Sequence, residues 1–258
     1  MKLIRYGMVG SAIILLILFI RPHEGNQKQE VLVSKEATVS IQEPKPKEWN
    51  LLGLGDSVVK GYGVADDQNM LHVLGTSLQK SWNEPVHIEN EGVNGLTSTK
   101  LLAYVQTPEV KDKIQQADII VIHIGGNDLL KLARKEGLFK TFQSFRSIKA
   151  TSSQNMIEIV MYIRQQNSDA LLVMYQLYNP IDPDDSYYKA SGPLFSNWNN
   201  IYRDALEEDD HYVIVPTKTV LSSKTPQRFN EDGVHPNEKG HAALAKEALQ
   251  RIQQKKEH

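Results

Sequence analysis

Short apolar runs alternate with amphipathic segments from Trp49 to the end of the chain. Five runs are rich in Val, Ile, Leu or Tyr and precede turn-forming residues, which predicts β-strands at 51–55, 86–89, 119–124, 171–177 and 212–216. Apolar residues at helical spacing predict helices at 70–82, 98–106, 156–166, 194–207 and 237–253. Because strands and helices alternate, the predicted fold class is α/β, with about five parallel strands and helices on both faces of the sheet.

The N-terminus has the pattern of a membrane segment or a signal peptide. Lys2 and Arg5 precede an apolar run at 6–20, which ends at Arg21. A helix of about 15 residues spans roughly 22 Å, short of the ~30 Å hydrocarbon core unless flanking residues extend it. The run is apolar on all sides and borders a polar segment, which argues against a buried core helix. No small-x-small cleavage pattern follows Ile20, so we expect an uncleaved anchor rather than a cleaved signal peptide.

Residues 22–48 are polar, rich in Lys, Glu and Gln, and contain Pro44 and Pro46. They show no sustained period of 3.6 or 2, which predicts a flexible stalk. The chain is therefore expected to divide into an anchor or signal peptide at 1–21, the stalk, and one α/β domain at 49–258. This organisation predicts a single-pass protein of the cell membrane with its domain outside, or a secreted protein if the first segment is cleaved.

Composition excludes several classes of function. The formal net charge is −2 and no cluster of Lys and Arg is visible, which argues against a nucleic-acid partner. The chain has no cysteine, so disulfides, thiolate metal ligands, a Cys nucleophile and a lipid-modified Cys are all excluded.

Ligands of parallel α/β sheets bind where the strands end, so the residues after each predicted strand are candidates for chemistry. Gly55-Asp56-Ser57 follows the first strand. A serine at this position presents its hydroxyl for attack on an ester, and its own N–H can point at the resulting oxyanion. The same triplet is also typical of a plain helix N-cap, for which Asp and Ser are favoured.

Two further turns carry candidate donors to an oxyanion. The turn after the second strand contains Gly92 and Gly95, whose backbone N–H groups can approach a ligand closely, with Gly95 as the natural donor. Gly125-Gly126-Asn127-Asp128 follows the third strand, and the Asn127 amide is a suitable additional donor. Ordinary turn chemistry and an Asx turn explain the two segments equally well when each is taken alone.

Asp232-Gly233-Val234-His235-Pro236 follows the fifth strand. A serine nucleophile needs an imidazole to accept its proton and a carboxylate to fix the imidazole tautomer, and Asp232 and His235 supply both on one tight loop. A lone loop histidine is more often merely solvated. His241, in a helical pattern, is interpreted as a surface or packing residue, and three other histidines are interpreted as structural: His72, His87 and His123.

The order of these blocks resembles that of the SGNH, or GDSL-type, hydrolases, which are named for Ser, Gly, Asn and His in four blocks. The resemblance extends from about residue 51 to the last predicted helix. It implies a three-layer α/β/α, flavodoxin-like fold and activity on carboxylic esters. Val58 stands where the family often has Leu, which should not affect the chemistry.

The resemblance also implies a role for each matching residue. Ser57 is expected to be the nucleophile and His235 its base, oriented by Asp232. The N–H groups of Ser57 and Gly95 and the side chain of Asn127 are expected to form the oxyanion hole. Such a mechanism requires no metal and no cofactor.

The loop after the fourth predicted strand, 178–188, is rich in Tyr and is followed by Phe195 and Trp198. These aromatic side chains either line an acyl or glycan pocket or pack a helix against the sheet. No metal site is predicted, because a recognised calcium-ligand spacing is missing from the acidic residues of the loop: Asp182, Asp184 and Asp185.

The sequence therefore predicts a membrane-tethered serine hydrolase that cleaves small-molecule or lipid esters, as an esterase, lipase or acylhydrolase. One alternative is an O-acetylesterase of cell-wall polysaccharide, because a stalk of about 28 residues spans roughly 30 Å and brings both membrane and wall within reach. A second alternative is a non-catalytic surface-binding domain of the same fold. The complete set of reactive residues argues against this second alternative, because a binding domain does not need them.

Overall fold

The computed structural model describes residues 47–181, 184–186, 188–222 and 224–256. Within them, five parallel strands form one sheet in the order β2-β1-β3-β4-β5. The strands are β1 (Trp49–Gly55), β2 (Val86–Gly92), β3 (Ile119–His123), β4 (Leu171–Tyr175) and β5 (Tyr212–Val215). All five predicted strands are present. The strand order reverses direction between β1 and β3, which is the switch point where ligands bind in open α/β sheets.

Eight helices connect or follow these strands in the described part of the chain. They are α1 (Ser57–Lys60), α2 (Met70–Trp82), α3 (Ser98–Val105), α4 (Pro108–Gln116), α5 (Gly126–Gln166), α6 (Tyr188–Trp198), α7 (Asn200–Ala205) and α8 (Glu238–Lys256). The helix predicted at 70–82 has the bounds of α2. α3 ends one residue before its predicted end, and α8 extends three residues beyond its predicted end.

The strands bury both of their faces, which is typical of a parallel sheet between two helical layers. On one face Leu52 and Ile120 belong to a core that also contains buried residues of α3, α4, α5 and α7. On the other face Leu51 and Val121 belong to a second core, with buried residues of α1, α2 and α8. This is the three-layer α/β/α fold that the sequence predicts.

α5 differs most from the prediction. The helix expected at 156–166 begins at Gly126 and is interrupted at Gly137, whose φ of 84° and ψ of 164° are not helical. Met156 and Ile159 are buried in the core, whereas Phe145 and Ile148, earlier in the helix, are only partly buried. Apolar residues at 138, 142, 145 and 148 have helical spacing, so the earlier part carries a helical signal that the prediction did not use.

The helix predicted at 194–207 is divided into α6 and α7, with Asn199 between them. The Asn199 side chain accepts a hydrogen bond from the N–H of Leu177 and donates one to its C=O, both at 2.9 Å. These bonds attach the junction between the helices to the segment that follows β4. The position of Asn199 therefore follows from a contact 22 residues away in sequence, which helical periodicity does not reveal.

The predicted anchor at 1–21 and almost all of the predicted stalk lie outside the described residues. In the part of the chain that the structure describes, no helix combines the length and the apolar character needed to span a bilayer.

Candidate active site

Ser57 lies at the turn from β1 into α1, and the backbone at this turn requires glycine. Gly55 has a φ of +147°, and a Cβ at this position would lie 2.0 Å from the carbonyl oxygen of His123. Asp56 is the N-cap of α1, and its side chain accepts a hydrogen bond from the N–H of Val58 at 3.0 Å. The N-cap interpretation is therefore right for Asp56, and it leaves the next residue, Ser57, at the first position of the helix.

Ser57, His235 and Asp232 are connected by hydrogen bonds in series. The Ser57 Oγ lies 2.8 Å from the His235 Nε2, and the His235 Nδ1 lies 2.5 Å from the Asp232 Oδ2. The other carboxylate oxygen of Asp232 accepts hydrogen bonds from the backbone N–H groups of Val234 and His235, both at 2.9 Å. The loop thus fixes the carboxylate at the same time as the carboxylate fixes the imidazole.

The electrostatics of this loop keep Asp232 ionised. Partial burial alone raises the pKa of a carboxyl group, but the hydrogen bonds from His235 and from the backbone of Val234 outweigh it, and the pKa of Asp232 falls below its ordinary value. An ionised Asp232 accepts the Nδ1–H of His235. The His235 Nε2 then faces Ser57 without a proton, which is the tautomer that a general base requires.

Gly95 and Asn127 lie beside Ser57 in the wall of one cavity. Gly95 has a φ of +74°, and the space where a Cβ would lie is open, with no atom within 4 Å. The Asn127 amide donates one hydrogen bond to the C=O of Leu96 at 3.0 Å. Since an Asn amide has two N–H groups, Asn127 retains a donor for a ligand.

Asp128 links the two segments that carry these donors, a role that the sequence motif does not indicate. Its carboxylate accepts hydrogen bonds from the backbone N–H of Ser98 at 3.0 Å, from the Ser98 hydroxyl at 2.6 Å and from the Ser152 hydroxyl at 2.9 Å. Ser98 begins α3 just after Gly95, and Asp128 follows Asn127. The network therefore holds the start of α3 against the start of α5 and stabilises the relative positions of Gly95 and Asn127.

Two buried histidines lie close to this site. The His123 Nδ1 lies 3.0 Å from the Asp56 Oδ1, and the ring lines the same cavity as Ser57. His241 is fully buried rather than on the surface, and its Nδ1 accepts a hydrogen bond from the N–H of Met70 at 3.1 Å. Burial, with smaller electrostatic contributions from His123 and His235, lowers the pKa of His241 to about 4. His241 is therefore a neutral packing residue at pH 7.

The cavity at Ser57 has a volume of about 320 Å³. Besides the residues above, its wall contains mostly apolar side chains: Val58, Leu129, Leu130, Leu177, Tyr178, Pro180, Phe195 and Val234. The ring of Tyr62, which is half-exposed, lies with its centroid 4.6 Å from that of His235. No motif singles out Tyr62, because it reaches His235 only through the turn after α1.

The aromatic residues after β4 divide between the two predicted roles. Tyr178 and Phe195 line the cavity. Trp198 is buried, packs 6.1 Å from the ring of Phe145, and would lie 3.0 Å from a Cβ at Gly125. Within the described residues, which exclude Asp182, no cluster of His, Cys, Asp or Glu is arranged to hold a metal ion.

Hydrogen-bonded Ser, His and Asp side chains at the carboxyl edge of a parallel sheet are an arrangement that several classes of hydrolase share. The chain belongs to the GDSL-like Lipase/Acylhydrolase family, whose sequence profile matches residues 54–243. The predicted enzyme class, carboxylic ester hydrolase, is confirmed by this match.

Relatives and solved structures agree with the family. Uncharacterized protein YpmR of Bacillus subtilis (strain 168) is 28% identical over 256 residues, which cover 98% of this chain and 97% of that protein. Spore germination lipase LipC of Bacillus licheniformis is 24% identical over 197 residues, or 74% of this chain and 91% of that protein. The structure of the lipase Lip_vut3 from a goat rumen metagenome matches 77% of this chain and 95% of its own, with a TM-score of 0.65 and 22% identity, which confirms the fold.

Proposed function

We propose that the protein hydrolyses carboxylic esters with Ser57 as the nucleophile, His235 as the general base and Asp232 as the residue that orients His235. The observation that carries the proposal is the series of two hydrogen bonds, 2.8 Å from Ser57 to His235 and 2.5 Å from His235 to Asp232. The first distance lies within the reach expected of a nucleophile and its base, and the second is a short hydrogen bond between the base and the residue that orients it.

The reaction proceeds in two halves. The Ser57 Oγ attacks the ester carbonyl carbon as the His235 Nε2 takes its proton, and a tetrahedral intermediate forms. His235 then gives this proton to the departing alcohol oxygen, which leaves an acyl-Ser57 ester. Water repeats the sequence on that ester, again with His235 as base, and releases the carboxylic acid and the free Ser57 hydroxyl.

The intermediate carries a negative charge on the former carbonyl oxygen. In the proposal this oxygen accepts hydrogen bonds from the backbone N–H groups of Ser57 and Gly95 and from the side-chain amide of Asn127. These donors line the same cavity as the nucleophile and are held by the Asp128 network before any substrate binds. Donors that are already oriented stabilise a developing charge without a further cost of reorganisation.

We expect the full chain to release p-nitrophenol from p-nitrophenyl acetate with saturation kinetics. The acetyl group is small enough to reach Ser57 whichever part of the cavity holds the acyl group and whichever holds the alcohol group. The measurement is the initial rate at 400 nm against substrate concentration. A protein that folds, as judged by circular dichroism, but releases p-nitrophenol no faster than buffer would instead be a surface-binding domain of the same fold.

We also propose that residues 1–21 anchor the protein in the cell membrane, that 22–48 form a stalk, and that the hydrolase domain lies outside. Two positive side chains, Lys2 and Arg5, precede the apolar run and favour a cytoplasmic N-terminus. We expect the full chain to sediment with membranes and to resist high-salt washing, since burial of the apolar run is insensitive to salt.

The matched control is a shortened chain that begins at Lys45, the start of the compact unit that contains the site. It is expected in the soluble fraction with an unchanged rate on p-nitrophenyl acetate. Recovery of a shortened, mature protein from the medium, with a new N-terminus just beyond Ile20, would replace the anchor with a cleaved signal peptide.

A further inference from the structure

A second cavity lies beside the one that contains Ser57. Its volume is about 530 Å³, and no residue of the proposed catalytic set lines it. The two cavities share three wall residues: Leu177, Tyr178 and Phe195. The boundary between them is therefore one side chain thick, and the nature of these side chains determines whether a substrate can extend from one cavity into the other.

Two of the three wall residues are fixed by hydrogen bonds. Leu177 is buried, and both its N–H and its C=O bond with the side chain of Asn199 at 2.9 Å. Tyr178 is also buried, and its hydroxyl donates to the C=O of Val234, next to His235, at 2.8 Å. Changes at either residue would disturb the segment after β4 or the loop that carries the catalytic histidine.

Phe195 is the wall residue without such constraints. Its side chain has no polar atom, is partly buried, and packs against the core beside α5 and α7 from its position on α6. Gly192, three residues earlier, lines the second cavity without a side chain. Phe195 thus contributes to the wall between the two cavities only through its volume.

We propose that Phe195 determines the size of the ester group that the active-site cavity accepts, and that the protein therefore selects esters with a short acyl or alcohol group. The inference rests on the proposed function of Ser57. A volume of about 320 Å³ is at the lower end of the range for ligand pockets, roughly 300–1,000 Å³. Removal of the phenyl ring would join this space to a further cavity of about 530 Å³.

The character of the second cavity indicates what an extended group would meet there. Its wall includes Lys189, Lys218 and Lys224, and among the described residues that line it none is acidic. In the described part of the chain no carboxylate forms an ion pair with these lysines. An extended ester group would therefore meet exposed positive side chains there, and each ion pair with a terminal carboxylate would contribute at most about fivefold to affinity, or about 1 kcal/mol.

The experiment compares Phe195→Ala with the wild-type chain on p-nitrophenyl esters from acetate to dodecanoate, and on acetates of alcohols of matching length. We expect the ratio of kcat/KM for the ten-carbon group to kcat/KM for the two-carbon group to rise by about tenfold or more in one of the two series, since even one methylene accommodated in an apolar pocket changes selectivity by about 10-fold to 200-fold. Phe195→Leu should give a smaller rise, and Phe195→Trp should lower the ratio.

The matched control is Phe145→Ala. Phe145 is partly buried against the same core and contacts Trp198 of α6, but it lines neither cavity. We expect this change to lower the melting temperature and to leave the chain-length ratio at its wild-type value. If Phe195→Ala fails to fold, Phe195→Leu provides the same comparison.

An unchanged ratio for folded Phe195 variants in both series would overturn the proposal, as would an equal rise in Phe145→Ala. Wild-type activity on p-nitrophenyl acetate distinguishes this failure from failure of the proposed function. A wild-type chain that is active and prefers short groups, with unchanged selectivity in the Phe195 variants, would leave Ser57 in its role and exclude only the role of Phe195.

Discussion

Replacement of Ser57 with alanine is expected to lower kcat for ester hydrolysis by a factor of about 10⁴ or more. The change removes the oxygen that attacks the carbonyl, and it leaves His235 with no nucleophile to deprotonate, so that the three residues lose their function as a unit. The fold should be retained, because Asp56 rather than Ser57 caps α1. The measurement is kcat on p-nitrophenyl acetate together with the melting temperature.

Ser77→Ala is the matched control for this change. Like Ser57, Ser77 lies on a helix. Its hydroxyl donates to the backbone carbonyl of Val73 at 2.7 Å, and Ser77 does not line the cavity. Its loss should leave kcat unchanged. A folded Ser57→Ala protein with kcat within about tenfold of wild type, a difference of only about 1.4 kcal/mol in the barrier, would exclude Ser57 as the nucleophile.

The strands were predictable because each carries its own signal. β3 contains four consecutive apolar residues before His123, and β4 contains five; both strands are buried along their whole length, and this pattern is independent of the rest of the chain. The length of α5 was not predictable in the same way. Gly137 interrupts it with non-helical φ and ψ, and a glycine within a helical pattern weakens the prediction of one continuous helix.

The residues of the candidate site that the sequence predicts are those that follow strands. Ser57, Gly95, Asn127 and His235 come from four separate segments, and the fold brings all of them to one cavity. Their roles stay predictions until the variants are measured. The sheet topology accounts for the proximity of Ser57, Gly95 and Asn127, which follow the neighbouring strands β1, β2 and β3. His235 is brought to them by the long segment between β5 and α8.

The side chains that surround this set were predictable only in part, because the sequence left open whether Phe195 lines a pocket or packs a helix against the sheet. Tyr62 contacts His235 across 173 positions of the chain, and Phe195 reaches the cavity from a helix whose start was predicted six residues too late. Neither residue belongs to a motif, and neither type is unusual for a packed core. Such residues are identified only when the distances between side chains are known.

The second large effect is expected at Asn127. Replacement with alanine should lower kcat by about 10²–10³ and change KM little, which is the usual loss for one donor to an oxyanion. The reason is that the amide is proposed to bond the oxygen more strongly when it carries a full negative charge than in the ground-state ester. Asn127→Asp, which has the same size but presents oxygen atoms in place of the amide N–H groups, should lower kcat further, because a carboxylate repels the oxyanion.

The Asn127 amide also donates to the C=O of Leu96, next to Gly95, so that a displaced turn could produce part of the same loss. Two measurements separate these effects: the melting temperature, and kcat and KM determined independently on p-nitrophenyl acetate. A displaced turn lowers the melting temperature and weakens substrate binding, whereas a lost oxyanion donor lowers kcat alone. If KM rises and kcat is retained, Asn127 binds the ester in its ground state, and the oxyanion is stabilised by the backbone N–H groups of Ser57 and Gly95 without it.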